Sequence, residues 1–230
     1  MTTVVFSYEK HIGPHVFFSS RVCHDLNNII TTAMGAVSLL QFKAPMESTF
    51  RGELERIDRS IEALSQFTKR LERVFLDMFE NKIRYDFHRL IRATLAEFQS
   101  PRFSVQYSGV ANILVNMDVT AVQGLLRELL QNSQESCHGK GAVNVQLKRN
   151  EQHVELLISD SGKGISAEHL DEIFTPFKSF EKQGNLVGLG LAYVGSVVHH
   201  HDWKMTLASK PGQGTAVSIH MPVSAEQTLA

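Results

Sequence analysis

The chain has 230 residues, 43% of them hydrophobic and 20% charged, with a formal net charge of −1. That length can bury a real core as one large domain or two modest ones. The near-zero charge excludes a global field drawing the chain to nucleic acid or an anionic membrane.

Residues 1–15 read as an N-terminal segment without the apolar run of a signal peptide. A first helix is expected over about residues 16–43, with Val22, Leu26, Ile29, Ile30, Val37 and Leu40 among its apolar positions. Ala44-Pro45 ends it, because proline lacks an amide donor and disfavours helix in the residue before it. Ser48 is placed to cap the next helix, where apolar residues recur at Phe50, Leu54, Ile57, Ile61, Leu64, Phe67, Leu71, Val74 and Met78. Steps of three and four make this the seam of a bundle or coiled coil. Two helices alone cannot enclose a core. The expectation for residues 16–80 is an antiparallel hairpin that pairs with a second copy as a four-helix bundle, a homodimer, the alternative being pairing with the rest of its own chain.

Residues 81–86 read as a linker. Phe87, Leu90, Ile91, Leu95 and Phe98 then mark an amphipathic helix, and residues 103–107 and 113–115 are strand-like. Residues 119–136 are helical, and residues 142–148 and 154–159 alternate as a hairpin. A helix over about 189–200 precedes two last strands, 203–208 and 215–220. The expected class is α+β: the helical hairpin, then over residues 87–222 an α/β sandwich whose mixed sheet carries helices on one face. Residues 223–230 form a tail. Two cysteines, Cys23 and Cys137, are too few and too far apart for a disulfide framework or a CxxC zinc site. No apolar stretch reaches the roughly 20 residues that cross a bilayer. The expected location is the cytoplasm, with both thiols reduced.

Four short patterns carry chemistry. His24-Asp25-Leu26-Asn27-Asn28 sets a nucleophilic imidazole beside a carboxylate able to take a ring proton, with an amide one helical turn on. Alone, a His-Asp pair equally fits a surface cap. Glu128 and Asn132, four apart on one helix, suit a hard Mg²⁺ ion, and also suit an ordinary polar face. Asp160 ends a strand, where a carboxylate can accept from an exocyclic amino group, and Gly162 and Gly164 permit close backbone approach. Gly188 and Gly190 precede a helix whose first amides favour phosphate oxygens. His199-His200-His201 point in different directions along a helix, which argues against one metal ion binding all three.

In their order and spacing, from about Val22 to Pro222, these patterns resemble the catalytic core of a two-component sensor histidine kinase. Residues 24–28 look like the phosphoacceptor box, Glu128 through Asn132 the N box, and Asp160 through Gly164 the first glycine box. Phe174-Thr175-Pro176-Phe177 looks like the phenylalanine box, Gly188 through Leu191 the second glycine box, and Gly212-Gln213-Gly214-Thr215 the closing strand motif. The resemblance implies that His24 accepts the γ-phosphoryl group of ATP, that Asp25 is its base, and that Asn28 positions water for the reverse, phosphatase activity. It implies that Asn132 with Glu128 holds Mg²⁺ and that Asp160 reads adenine. Gly162, Gly164, Ile165, Phe177, Lys182, Gly188, Leu189, Gly190, Leu191 and Thr215 would complete the nucleotide site. It also implies a response regulator receiver domain as partner.

Two departures stand out. Leu186 occupies a place usually glycine, and Ser179-Phe180-Glu181-Lys182 replaces a threonine-lysine pair in the segment expected to close over the triphosphate. Only 23 residues precede His24, too few for a folded sensor domain, so either this is an excised core or the input is expected from a separate protein. An ATP-independent histidine phosphotransfer or scaffold protein on the same architecture is the alternative. A serine kinase of the anti-sigma type shares the nucleotide fold but has no need of the His24-Asp25 box, and ranks last.

Overall fold

The computed structural model describes residues 1–13, 16–43, 48–75, 79–178 and 188–222. It excludes the side chains of residues 16–21, 43, 48–51, 66 and 70. Two units emerge: residues 14–78, and residues 1–13 together with 79–230. Among the described residues, no helix is long and apolar enough to cross a membrane.

The first unit is a hairpin of α1 (Val16–Lys43) and α2 (Ser48–Phe75). Cys23, Ile30 and Val37 are buried at steps of seven, and on α2 Leu54, Thr68, Leu71, Val74 and Phe75 are buried. Antiparallel pairing is fixed by Asn27 Nδ2 donating to Glu72 Oε1 at 2.5 Å and Gln41 Nε2 donating to Asp58 Oδ2 at 3.3 Å. A second apolar surface stays open: Ile29, Met34, Leu39 and Leu40 on α1, and Ile57 and Leu64 on α2, are exposed.

In the second unit, six strands form a mixed sheet. They are βA (Thr2–Val5), βC (Phe103–Gly109), βE (Gly141–Arg149), βF (His153–Asp160), βG (Lys204–Ser209) and βH (Thr215–Pro222). Their spatial order is βA, βG, βH, βF, βE, βC. Only βC and βE pair in parallel. Period-two alternation buries one face: Val143, Val145 and Leu147; Val154, Leu156 and Ile158; Met205 and Leu207; Val217, Ile219 and Met221. Two helices, α3 (Val119–Ser136) and α4 (Gly190–His200), bring Leu125, Leu126, Leu129, Leu130, Val194, Val197 and Val198 to that core. A shorter helix, α5 (Phe87–Leu95), begins at the cap Asp86, whose carboxylate accepts from Arg89 N–H.

Two stretches differ from the sequence reading. Residues 83–86, inside the expected linker, form strand βB (Ile83–Asp86), paired antiparallel with βD (Leu114–Met117). Residues 2–5 of the N-terminal segment are an edge strand of the main sheet. Both strands are short and mostly exposed, so no alternation announces them; each is defined by a partner far along the chain. The expected tail, 223–230, lies outside the described residues.

The three consecutive histidines diverge. His199 stacks on Tyr8 at 4.0 Å, His200 faces Phe79 at 4.5 Å, and His201 is buried. No metal-binding group of three or more His, Cys, Asp or Glu occurs among the described residues. His201 instead ties two helices together. Its Nδ1–H donates to Val197 O at 2.7 Å, and its Nε2 accepts from Asp118 N–H at 2.9 Å. Asp118 in turn caps α3 through Ala121 N–H and accepts from Glu80 N–H. With both ring nitrogens committed in the neutral form, burial pulls the His201 pKa down to about 4. The unfolded chain takes up this proton below about pH 6.5, whereas the folded chain resists it down to about 4. Stability from this site is therefore complete above about 6.5 and lost as pH falls toward 4. Replacing His201→Gln should make urea stability fall less steeply with pH across that window, while lowering it at neutral pH.

Candidate functional site

Asp160 ends βF half-buried, and four groups converge on it. Its Oδ1 accepts from Gly162 N–H at 2.8 Å and Thr215 N–H at 3.3 Å, and its Oδ2 accepts from Ser133 Oγ at 3.4 Å. Ser136 also hydrogen-bonds to it. Burial raises the carboxyl pKa, and these hydrogen bonds pull it back. Two amides fill Oδ1. The long Ser133 contact leaves Oδ2 the oxygen best able to exchange a partner for an exocyclic amino group.

Backbone takes the space around that carboxylate. Gly214 has φ +82°, and a Cβ there would collide with the Asp160 carbonyl oxygen. Gly164 has φ +69°, and its Cβ would strike the Lys210 carbonyl oxygen. Both places accept only glycine without strain. Between these turns sits Ser209, a residue sequence reasoning missed. Its buried hydroxyl donates to Gly214 O at 2.9 Å, accepts from Ile165 N–H at 2.9 Å, and meets Thr215 Oγ1 at 2.9 Å. One donor and two acceptor sites are used in full. Gly212 N–H donates to Lys163 O at 2.7 Å, a further tie between the two loops. In sequence, Ser209 is just the last residue of a strand, with no motif to mark it.

Glu128 and Asn132 share one face of α3. They lie beside the start of α4: a Cβ on Gly190 would come within 2.7 Å of Glu128 Oε2 and 3.9 Å of Asn132 Nδ2. The first amides of α4, at Gly190 and Leu191, have no carbonyl partner in their own helix. A carboxylate and an amide oxygen that would suit a Mg²⁺ ion thus lie beside a helix N-terminus whose amides would suit phosphate oxygens. Leu189 is buried at the helix entry, with its carbonyl accepting from Tyr193 N–H at 2.8 Å. Phe177, exposed and at φ +66°, donates its N–H to Gly188 O at 3.0 Å. The chain therefore departs and returns at one point. Lys182 and Leu186 lie between, outside the described residues. Lys178 pairs with Glu172 at 3.1 Å, whereas Phe174 is buried in the core.

The phosphoacceptor candidates stand on α1. His24 is exposed, and both neighbours address the same nitrogen: Asp25 Oδ1 lies 3.3 Å and Asn28 Nδ2 3.4 Å from Nδ1. Asp25 needs a proton on Nδ1, while the Asn28 amide needs a lone pair there. The two contacts therefore belong to different tautomers. Asn27, in the same motif, joins the two helices through Glu72.

Residues 117–225 match the family model of histidine kinase-, DNA gyrase B-, and HSP90-like ATPase. The chain is 26% identical over 216 residues to sporulation kinase B of Bacillus subtilis (strain 168), covering 89% of this chain and 49% of that protein. It is 26% identical over 217 residues to the sensor histidine kinase ZraS of Escherichia coli (strain K12), covering 88% and 44%. Over most of its length this chain is similar to histidine kinases. It spans about half the length of these relatives. Among solved structures, the chain resembles in fold full-length ShkA in complex with AMPPNP, with TM-score 0.70 and 20% identity over 90% of this chain and 46% of that one. The mycobacterial sensor histidine kinase MprB matches with TM-score 0.55 and 24% identity over 61% of this chain and 97% of that one.

Burial of Asp160 predicts a separation of binding from stability. Its charged form is disfavoured by the fold, so a neutral isostere removes that cost at neutral pH. Asp160→Asn should weaken a fluorescent ATP analogue by tenfold or more, on the order of a lost charge-assisted hydrogen bond. The melting temperature should stay level or rise. A parallel fall in both would remove this account of the site.

Proposed function

We propose that this chain is an ATP-dependent protein-histidine kinase that autophosphorylates His24 and passes the phosphoryl group to an aspartate of a response regulator receiver domain. It acts as a homodimer in the cytoplasm and also dephosphorylates its regulator. The observation that carries this reading is the pairing of a backbone-lined carboxylate site at Asp160 with an exposed imidazole whose Nδ1 faces Asp25.

The tautomer of His24 sets the direction of the reaction. With the Nδ1 proton donated to Asp25, the lone pair sits on Nε2, the nitrogen that neither neighbour addresses. Nε2 attacks the γ-phosphorus, the bond to the β,γ-bridging oxygen breaks, and ADP leaves with that electron pair. Asp25 stabilises positive charge developing on the ring. Asp160 accepts from the adenine amino group, and the first amides of α4 face phosphate oxygens. Mg²⁺, held by Asn132 and Glu128 when bound, supplies charge neutralisation along the triphosphate. Asn28, on the same face one turn from His24, orients the water for dephosphorylation.

An ATP-independent relay would leave the Asp160 site without a use, and labelling decides between the two. Incubated with radiolabelled Mg-ATP, the wild type should gain acid-labile, alkali-stable phosphate, and His24→Ala should gain none. Asp25→Asn should slow labelling by about a hundredfold, within the usual reach of acid–base assistance, without changing nucleotide affinity. Retained label in His24→Ala would reject the assignment.

The dimer follows from the open apolar surface of the hairpin. Exposure of 62% at Ile29 and 59% at Leu39 is more than a stable lone hairpin has reason to leave in water. Introducing Ile57→Glu with Leu64→Glu should convert the dimer to a monomer by light scattering, with the second unit still binding nucleotide.

A further inference from the structure

The first thirteen residues are built into the ATP-binding unit, although the chain runs from them straight into the hairpin. Strand βA pairs antiparallel with βG, from Thr2 opposite Ser209 to Val5 opposite Thr206. Phe6 N–H extends the ladder to Met205 O at 3.1 Å. Val4, His11 and Ile12 are buried. The Phe6 ring rests on Gly195, in the middle of α4, where a Cβ would come within 2.5 Å of it. Glycine weakens a helix interior, and here its bareness makes a seat for an aromatic ring. Phe6 also meets Phe174 edge-on at 5.2 Å, as does His11 at 5.5 Å. Tyr8 stacks on His199, and Lys10 pairs with Asp171 at 3.4 Å.

This segment therefore bears on two supports of the candidate phosphate end: Phe174, just before Phe177, and the helix that begins at Gly190. It also makes the hairpin an insertion. Residues 14–78 leave one unit and return to the same unit, so two connections restrict relative motion where one would leave it freer. The docking has a weak point: His11 Nε2 is buried without a hydrogen-bond partner.

We propose that residues 2–13 are an intramolecular strap that restrains the kinase. Docked on βG and α4, the strap limits the motion that presents the γ-phosphate to His24; undocked, it releases that motion. This rests on the kinase reading above.

The strand register supplies a lock. The Phe6 to Met205 bond makes Thr3 and Ala208 a non-hydrogen-bonded pair. Such pairs hold their Cα atoms about 4.5 Å apart, inside the range a disulfide spans. The double variant Thr3→Cys with Ala208→Cys should oxidise to a disulfide, and the two native thiols, both buried, should not compete. The oxidised protein should autophosphorylate about fivefold or more slowly than the same protein reduced, with unchanged affinity for a fluorescent ATP analogue. Conversely, Gly195→Ala evicts Phe6 while favouring the helix, and should raise the rate about threefold or more. Equal rates in the oxidised and reduced forms, failure of the pair to oxidise, or no gain in Gly195→Ala would overturn the strap. A wild type that binds the analogue but takes no label on His24 would instead reject the kinase reading.

Discussion

A carboxylate drawn half out of water at the end of a central strand is the constraint around which the ATP-binding unit is arranged. Asp160 resists ionisation because of burial, and the fold answers with two backbone amides and two serine hydroxyls. Those donors come from three separate places: the last turns of α3, the loop after βF, and the first residue of βH. Gly214 brings the βH backbone against Asp160, and Ser209 fastens the loop on one side to the turn on the other. The site thus places a charge where the protein alone would prefer a neutral group. Function sited at the expense of stability is the expected signature of recognition.

His24 and His201 show how environment separates two identical side chains. His201 is buried with both nitrogens hydrogen-bonded, so it stays neutral and acts as a fastener between α4 and the start of α3. His24 is exposed, and its two neighbours share one nitrogen. A ring with one nitrogen contested and the other open to attack is poised to react; a ring with both satisfied is not. Asp25 and Asn28 favour opposite tautomers of His24. On the kinase reading, that competition lets one position serve both phosphorylation and its reversal.

Periodicity made the long elements legible in the sequence. Steps of three and four, ended by Pro45, mark the two hairpin helices, and alternation marks βE and βF. Glycine and acid spacing pointed to Asp160, Gly162 and Gly190, which the fold brings beside α3. Short strands were hidden for a physical reason. Ile83 becomes a strand residue because Met117 is opposite, and Thr2 because Ser209 is, and neither four-residue segment carries a burial pattern of its own. Ser209 was hidden likewise: its importance lies in three hydrogen bonds to residues of two loops. Asn27 was legible as unusual in mid-helix, but its bond to Glu72 depends on the second helix folding back.

The two units solve different burial problems. The ATP-binding unit covers one face of its sheet with α3 and α4 and seats Phe6 in the bare middle of α4. The hairpin spends Cys23, Ile30 and Val37 on its own two-helix seam, leaving a second apolar surface that its own residues do not cover. On the dimer reading, a second copy would cover that surface about a two-fold axis. Dimerisation would then hold the hairpins still while leaving each ATP-binding unit to its two short connections. On the strap proposal, the N-terminal strand docked on βG and α4 is then a more effective place for control than any residue inside the nucleotide site.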